Sequence, residues 1–184
     1  MILKLCFYVA VLLLSFFAYR SYTNAPIHLK VGDAAPSFTL NDAQGQTHYL
    51  SDYMGKYLVL YFYPKDDTPA CTKEACFFRD DMAQLEKLGA KVVGVSVDSA
   101  RSHDEFAKKY HLPFPLLADT SGKVADSYGA LTNFYVVKIA KRYTFLISPT
   151  GTIAKIYTSV DASNHSQQII DDLKSIQSKD ALEL

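Results

Sequence analysis

The sequence has no net charge: its 184 residues hold 19 Lys and Arg against 19 Asp and Glu. Acids are missing altogether from the first 32 residues, so from residue 30 onward 17 bases face 19 acids, a net charge of −2. A nucleic-acid binder needs a basic face to collect phosphates, and this body has none to spare. Cysteine is scarce as well. Cys6, Cys71 and Cys76 are too few for a disulfide framework. A body of about 155 residues needs none, since it buries roughly 68–70% of the surface its unfolded chain exposes. Cysteine chemistry here is therefore expected to be catalytic. The five histidines (His28, His48, His103, His111, His165) lack metal-ligand spacing and are expected at the surface, and neither metal nor cofactor is expected. No G-x-G-x-x-G follows an apolar strand, no Walker A pattern is present, and there is no internal repeat or low-complexity tract. What is present is apolar. Hydrophobic residues make up 49% and aromatics 13%, which excludes a disordered chain.

Residues 5–19 (LCFYVAVLLLSFFAY) are uncharged, with Lys4 before them and Arg20 after. As a helix the run covers about 22 Å, short of a hydrocarbon core of ~30 Å. Ile2 and Leu3, with Lys4 snorkelling, extend it to a marginal span. No small-x-small cleavage site follows, because Phe16 precedes Ala18 by two and Pro26 follows Ala25. The expected organisation is a signal-anchor or transmembrane segment over 1–20, a linker over 21–30 and one domain over 31–184. That places an apolar helix first, a membrane as partner through it, and the domain on the periplasmic or extracytoplasmic side. A cleaved signal peptide and a buried helix are the alternatives. Cys6 reads as a small hydrophobe within the run.

The body alternates strands and helices. Residues 38–40 and 47–50 flank NDAQG and predict a hairpin. Residues 57–63 (YLVLYFY) are continuously apolar, as a strand buried on both faces should be, and Pro64 ends them. From Cys71 onward Ala75, Phe78, Met82, Leu85 and Leu88 recur at helical spacing until Gly89. A second buried strand is expected over 91–97, helices over 102–110 and 122–128, a short strand over 116–118, a hairpin of 142–147 with 152–158, and a closing helix presenting Ile169, Leu173 and Ile176 on one face. This order predicts an α/β fold with a mixed central sheet flanked by helices.

The chemistry concentrates between residues 61 and 76. A buried strand ends, a short polar loop follows, and Cys71 sits in a first helical turn. The positive end of the helix dipole and the free N–H groups stabilise a thiolate there, which makes Cys71 a nucleophile near neutral pH. Lys73 and Arg79 are candidates to help, whereas Asp66, Asp67 and Glu74 oppose unless they turn to solvent. The Thr68 hydroxyl can reach into the same turn. Pro64 has no N–H and shapes the loop.

The pattern Pro64-x-x-x-Thr68-x-x-Cys71 matches the active-site motif of the peroxiredoxins, and YFYPKDDTPACTKEACFFRD closely resembles their bacterioferritin-comigratory-protein (PrxQ) subfamily. The likeness continues through VGVSVDS, PFPLLAD, Arg142-Tyr-Thr-Phe145 and VDASNHSQQIIDDL, over roughly residues 30–176. It implies a thioredoxin-like fold and thiol-dependent reduction of hydrogen peroxide or organic hydroperoxides. By the resemblance, Cys71 matches the peroxidatic cysteine, Thr68 the residue that hydrogen-bonds peroxide and thiolate, and Arg142 the arginine that stabilises both charges. Cys76 matches the resolving cysteine of members that close a disulfide within one chain, reduced in turn by thioredoxin or a similar dithiol protein. A monomer is the corresponding expectation. Ala70 departs from the usual Gly, Ser148 from the usual Asp, and residues 131–141 are more apolar than the family pattern. Two rival readings share the fold. A membrane-anchored thiol–disulfide carrier wants C-x-x-C, and a copper-delivery protein wants C-x-x-x-C with a distal histidine; neither spacing is present.

Overall fold

Alternation along one strand organises the protein. The computed structural model describes residues 28–134 and 137–180. It opens with a two-stranded antiparallel hairpin, β1 (Thr39–Asn41) and β2 (Thr47–Tyr49), and a 3-10 turn over Leu50–Tyr53. Strand β3 (Tyr57–Phe62) follows and is buried at every position. Its odd-numbered residues, Tyr57, Val59 and Tyr61, join one core cluster, and Leu58, Leu60 and Phe62 join a second. Successive strand side chains point to opposite faces, so a continuous apolar run must be covered on both.

Helices supply that cover on both faces, while four more strands extend the sheet to either side. After β3 come α1 (Pro69–Lys87), β4 (Ala90–Ser96), α2 (Ala100–Tyr110), β5 (Leu116–Ala118) and the short α3 (Lys123–Ser127). A hairpin of β6 (Leu131–Phe134) and β7 (Val137–Ala140) precedes β8 (Tyr143–Ile147), β9 (Ile153–Tyr157) and α4 (His165–Asp180). The central sheet runs β5-β4-β3-β8-β9. Strands β3, β4 and β5 are parallel, while β8 and β9 run against them. Phe78 and Leu85 of α1, Phe106 of α2, and Ile169 and Leu173 of α4 pack on the face of Tyr61, with Ile176 at its margin. Ala125 and Tyr128 pack on the face of Phe62. The mixed sheet and thioredoxin-like order follow the expectation.

Two glycines have specific reasons. Gly89 stops α1 in the left-handed region, φ +69°. At Gly94 on β4 a Cβ would lie 2.8 Å from the Tyr61 hydroxyl and 2.7 Å from Leu116, so only hydrogen fits.

Several expectations need correction. His103 and His165 are buried rather than at the surface. His165 Nε2 lies 2.8 Å from Thr144 Oγ1, its ring packs edge-on against Phe78 and Tyr157, and burial holds its pKa down at about 4, so it is neutral. The apolar 131–141 stretch forms an unexpected hairpin of β6 and β7, which buries Ala140 in the second cluster but leaves Val137 and Ile139 exposed. The membrane-anchored domain is corrected as well. Among the described residues no helix is long and apolar enough to cross a membrane. Helix α1, at 19 residues, carries charges at Lys73, Glu74, Arg79, Asp80, Asp81, Glu86 and Lys87. The apolar run over 5–19, with Cys6, and most of the 21–30 linker lie outside the described residues.

Candidate active site

The sheet brings the site together. Because β3 and β8 are antiparallel, with Phe62 opposite Tyr143, the end of β3 lies beside the start of β8. Arg142, immediately before β8, thereby meets the loop that leaves β3, although 71 residues separate it from Cys71. The parallel neighbour β4 ends at the same edge and delivers Asp98 there. Loops at the carboxyl ends of parallel strands are where α/β folds place their ligands.

Cys71 enters through the start of α1. Thr68 is the N-cap in extended conformation (φ −88°, ψ 150°), and Pro69 follows at the first helical position, where a missing N–H costs nothing. The first intrahelical bond runs from Thr72 N to Thr68 O at 2.8 Å, so Cys71 lies within the turn whose N–H groups have no helical acceptor. Cys71 is only 2% exposed. Arg142 Nη2 donates to Cys71 Sγ at 3.1 Å, and Nη1 donates to the Glu74 carboxylate. One planar guanidinium thus spans a thiol and a carboxylate, as its fork of donors allows and an ammonium would not. Cys71 and Glu74, three residues apart, share a helix face.

Glu74 does not turn to solvent, the condition under which it would not oppose a thiolate. It is 1% exposed, and burial outweighs the attraction and hydrogen bond of Arg142, pushing its pKa up to about 7. The sign of the consequence is fixed. A folded chain that keeps this proton up to about 7 competes with an unfolded one that releases it near 4.5. Stability therefore falls as pH rises between those values, by about 3 kcal/mol in all. Glu74→Gln should abolish that slope, which urea unfolding between pH 4.5 and 8 will measure; an unchanged slope would remove Glu74 as its source.

The other candidates divide. Lys73 is exposed, and Arg79 turns away from Cys71 to Asp80 Oδ1 (2.8 Å) and the Tyr110 carbonyl (2.7 Å). The Thr68 hydroxyl donates to the Lys65 carbonyl at 3.0 Å, holding the loop rather than capping the turn. Half-buried Pro64 opens that loop. Cys76 is half-buried further along the same intact helix, and Cys71 and Cys76 are free thiols. Ser148 bonds to Thr150 and Thr152 in the β8–β9 turn, away from Cys71. Among the described residues no group of three or more His, Cys, Asp or Glu could hold a metal ion.

The chain is similar to proteins already known. The AhpC/TSA family profile matches residues 31–156. Peroxiredoxin Bcp of Bacillus subtilis is 41% identical over 155 residues, covering 82% of this chain and 99% of that one. The chloroplastic peroxiredoxin Q of Triticum aestivum is 45% identical over 128 residues, covering 70% of this chain but only 58% of its own length. Among solved structures, the bacterioferritin comigratory protein of Xanthomonas campestris, studied for alkyl peroxide reduction, matches with a TM-score of 0.72 and 33% identity, covering 82% of this chain and 98% of that one. The Bacillus subtilis and Xanthomonas campestris chains are thus almost wholly accounted for by the match, with little length left for an anchoring segment. Nothing in these likenesses favours the membrane-anchored carrier.

Proposed function

The chain belongs to the AhpC/TSA family of peroxiredoxins, and from that premise we propose how its own residues carry the chemistry. It is a thiol-dependent peroxidase, an oxidoreductase. In our reading the Cys71 thiolate attacks one peroxide oxygen. An S–O bond forms, the O–O bond breaks, and the departing alkoxide or hydroxide takes up a proton to leave as alcohol or water. Cys71 is left as a sulfenic acid, oxidised by two electrons. Cys76 then attacks the Cys71 sulfur, expels the hydroxyl as water and closes a disulfide. A thioredoxin-like dithiol protein returns two electrons and two protons. The observation that carries this reading is the Arg142 guanidinium, bonded to Cys71 Sγ in a buried first turn. A cation in that place serves the thiolate and then the charge that develops on the leaving oxygen.

Pro64 and Thr68 shape and hold the loop in this reading, and the Thr68 hydroxyl is the group that can exchange its bond to Lys65 for one to peroxide. The Xanthomonas campestris relative acts on alkyl peroxides, which supports organic hydroperoxides beside hydrogen peroxide as substrates. A monomer suffices, since both cysteines are on one helix. Cys71→Ser should end peroxide consumption with dithiothreitol as reductant, while Cys76→Ser should retain it. Consumption that survives Cys71→Ser would refute the assignment.

A further inference from the structure

Residues of helix α2, His103, Lys109 and Tyr110 among them, fasten the loop in front of Cys71. Asp66 is buried and accepts hydrogen bonds from Tyr63 Oη at 2.6 Å and His103 Nδ1 at 2.8 Å. Its backbone N–H donates to Asp98 Oδ2 at 2.9 Å, which Ser96 Oγ holds in turn at 2.7 Å. Asp67 is a non-glycine residue in the left-handed region, φ 55°. Such a conformation persists only when its surroundings impose it. Here Lys109 Nζ and Tyr110 Oη each donate to its carboxylate at 2.6 Å. The Tyr110 carbonyl also receives Arg79 Nη1, which ties α2 to α1 two turns beyond Cys71.

We propose that α2 is a clamp that positions the catalytic turn, with His103 as its buried anchor on Asp66 and with Lys109 and Tyr110 as its outer hold on Asp67. His103 is fully buried, and its Nε2 has no hydrogen-bond partner among the described residues. A buried imidazole with one nitrogen unpaired costs stability relative to an apolar side chain, so its bond to Asp66 is the use that repays its presence. Burial would raise the Asp66 pKa, but the bonds and charge of His103 and the Tyr63 hydroxyl outweigh it and hold it below the usual carboxylate range. The route to the chemistry is short. Asp66 and Asp67 fix the loop, the loop presents the Lys65 carbonyl that orients Thr68, and Thr68 begins the turn that contains Cys71. These are positioning residues, and small displacements of a reacting group are expensive. The proposal rests on Cys71 being the attacking thiol.

The test follows single-turnover oxidation of Cys71 by hydrogen peroxide in the full chain, with amide exchange over residues 64–70 and thermal unfolding measured alongside. His103→Leu, which cannot donate to Asp66, should oxidise about ten-fold more slowly with faster exchange across the loop, at temperatures where it remains folded. His103→Asn places an amide nitrogen near the lost Nδ1 and should recover most of the rate. Lys109→Ala combined with Tyr110→Phe releases Asp67 from the surface and should slow oxidation about three-fold without disturbing the core. A wild-type rate in folded His103→Leu overturns the clamp, as do equal rates for the Leu and Asn variants, which would reduce His103 to packing. Should His103→Leu not fold, an unchanged rate in the surface double variant overturns it instead. Wild-type Cys71 that resists peroxide would refute the assignment of the attacking thiol itself, and the clamp with it.

Discussion

Arg142→Ala should slow the attack of Cys71 on peroxide by about two to three orders of magnitude, the usual effect of removing one preorganised donor from a developing oxyanion. Two charges need this guanidinium in sequence. The thiolate must exist before attack, and the leaving oxygen becomes anionic during it. Nη2 already lies 3.1 Å from Sγ, so the variant loses a formed contact and no reorganisation replaces it. Arg142→Lys should recover only part, since a point charge cannot reach sulfur and the Glu74 carboxylate with the same fixed geometry.

The stability of this variant should behave differently from its rate. Removing one partner of a buried ion pair ordinarily costs about 3–5 kcal/mol, because the other charge stays buried. Glu74 can escape that cost by keeping its proton, which burial already favours up to about 7. Its folded pKa lies above the unfolded one, so stability is intact below about 4.5 and declines as pH rises through the folded value. Arg142→Ala should thus be nearly as stable as the wild type at pH 5 and clearly weaker at pH 8, while slow at both. Stopped-flow oxidation and urea unfolding at the two pH values measure the two quantities separately. An unchanged oxidation rate would remove Arg142 from the mechanism.

Much of this architecture was legible in the residues, and the exceptions have physical causes. The run YLVLYFY reads as a strand covered on both faces, and its first six residues form one. The motif Pro64-x-x-x-Thr68-x-x-Cys71 placed the thiol in a first helical turn, where it lies. The hairpin of β6 and β7 escaped because neither glycine, proline nor an Asn-Gly pair punctuates residues 131–141, so its turn carries no local signal. Glu74 and His103 escaped for another reason. Polar residues default to solvent, yet Glu74 is three residues from Cys71 and His103 three from buried Phe106, spacing that puts each pair on one helix face. That spacing was the available clue. Only the pairing of β3 with β8 explains why Glu74 finds a cation there, and such long-range pairing is not written in local spacing.

Closing a Cys71–Cys76 disulfide should require α1 to unwind. Five residues along an α-helix advance about 7.5 Å and turn about 140°, which on a radius of about 2.3 Å separates the Cα atoms by about 8.7 Å. A disulfide tolerates up to about 7 Å. Both cysteines lie in unbroken helix here, so this arrangement can hold them only as thiols. The buried thiol must leave the Arg142 contact and the Tyr61 face to meet its partner. The melted segment should be short, about residues 68–78, because Asp66 and Asp67 are fastened to α2 before it and Arg79 is fastened to the Tyr110 carbonyl after it. Hydrogen exchange of the peroxide-treated protein should therefore lose protection between those two anchors and keep it beyond residue 79. Cys76→Ser should stop at the sulfenic acid, retain the helix, and accumulate sulfinic acid at Cys71 under excess peroxide. A disulfide found by mass spectrometry together with undiminished protection from residue 71 to 78 would contradict the unwinding. No disulfide at all in peroxide-treated wild type would demote Cys76 to a half-buried residue of the helix.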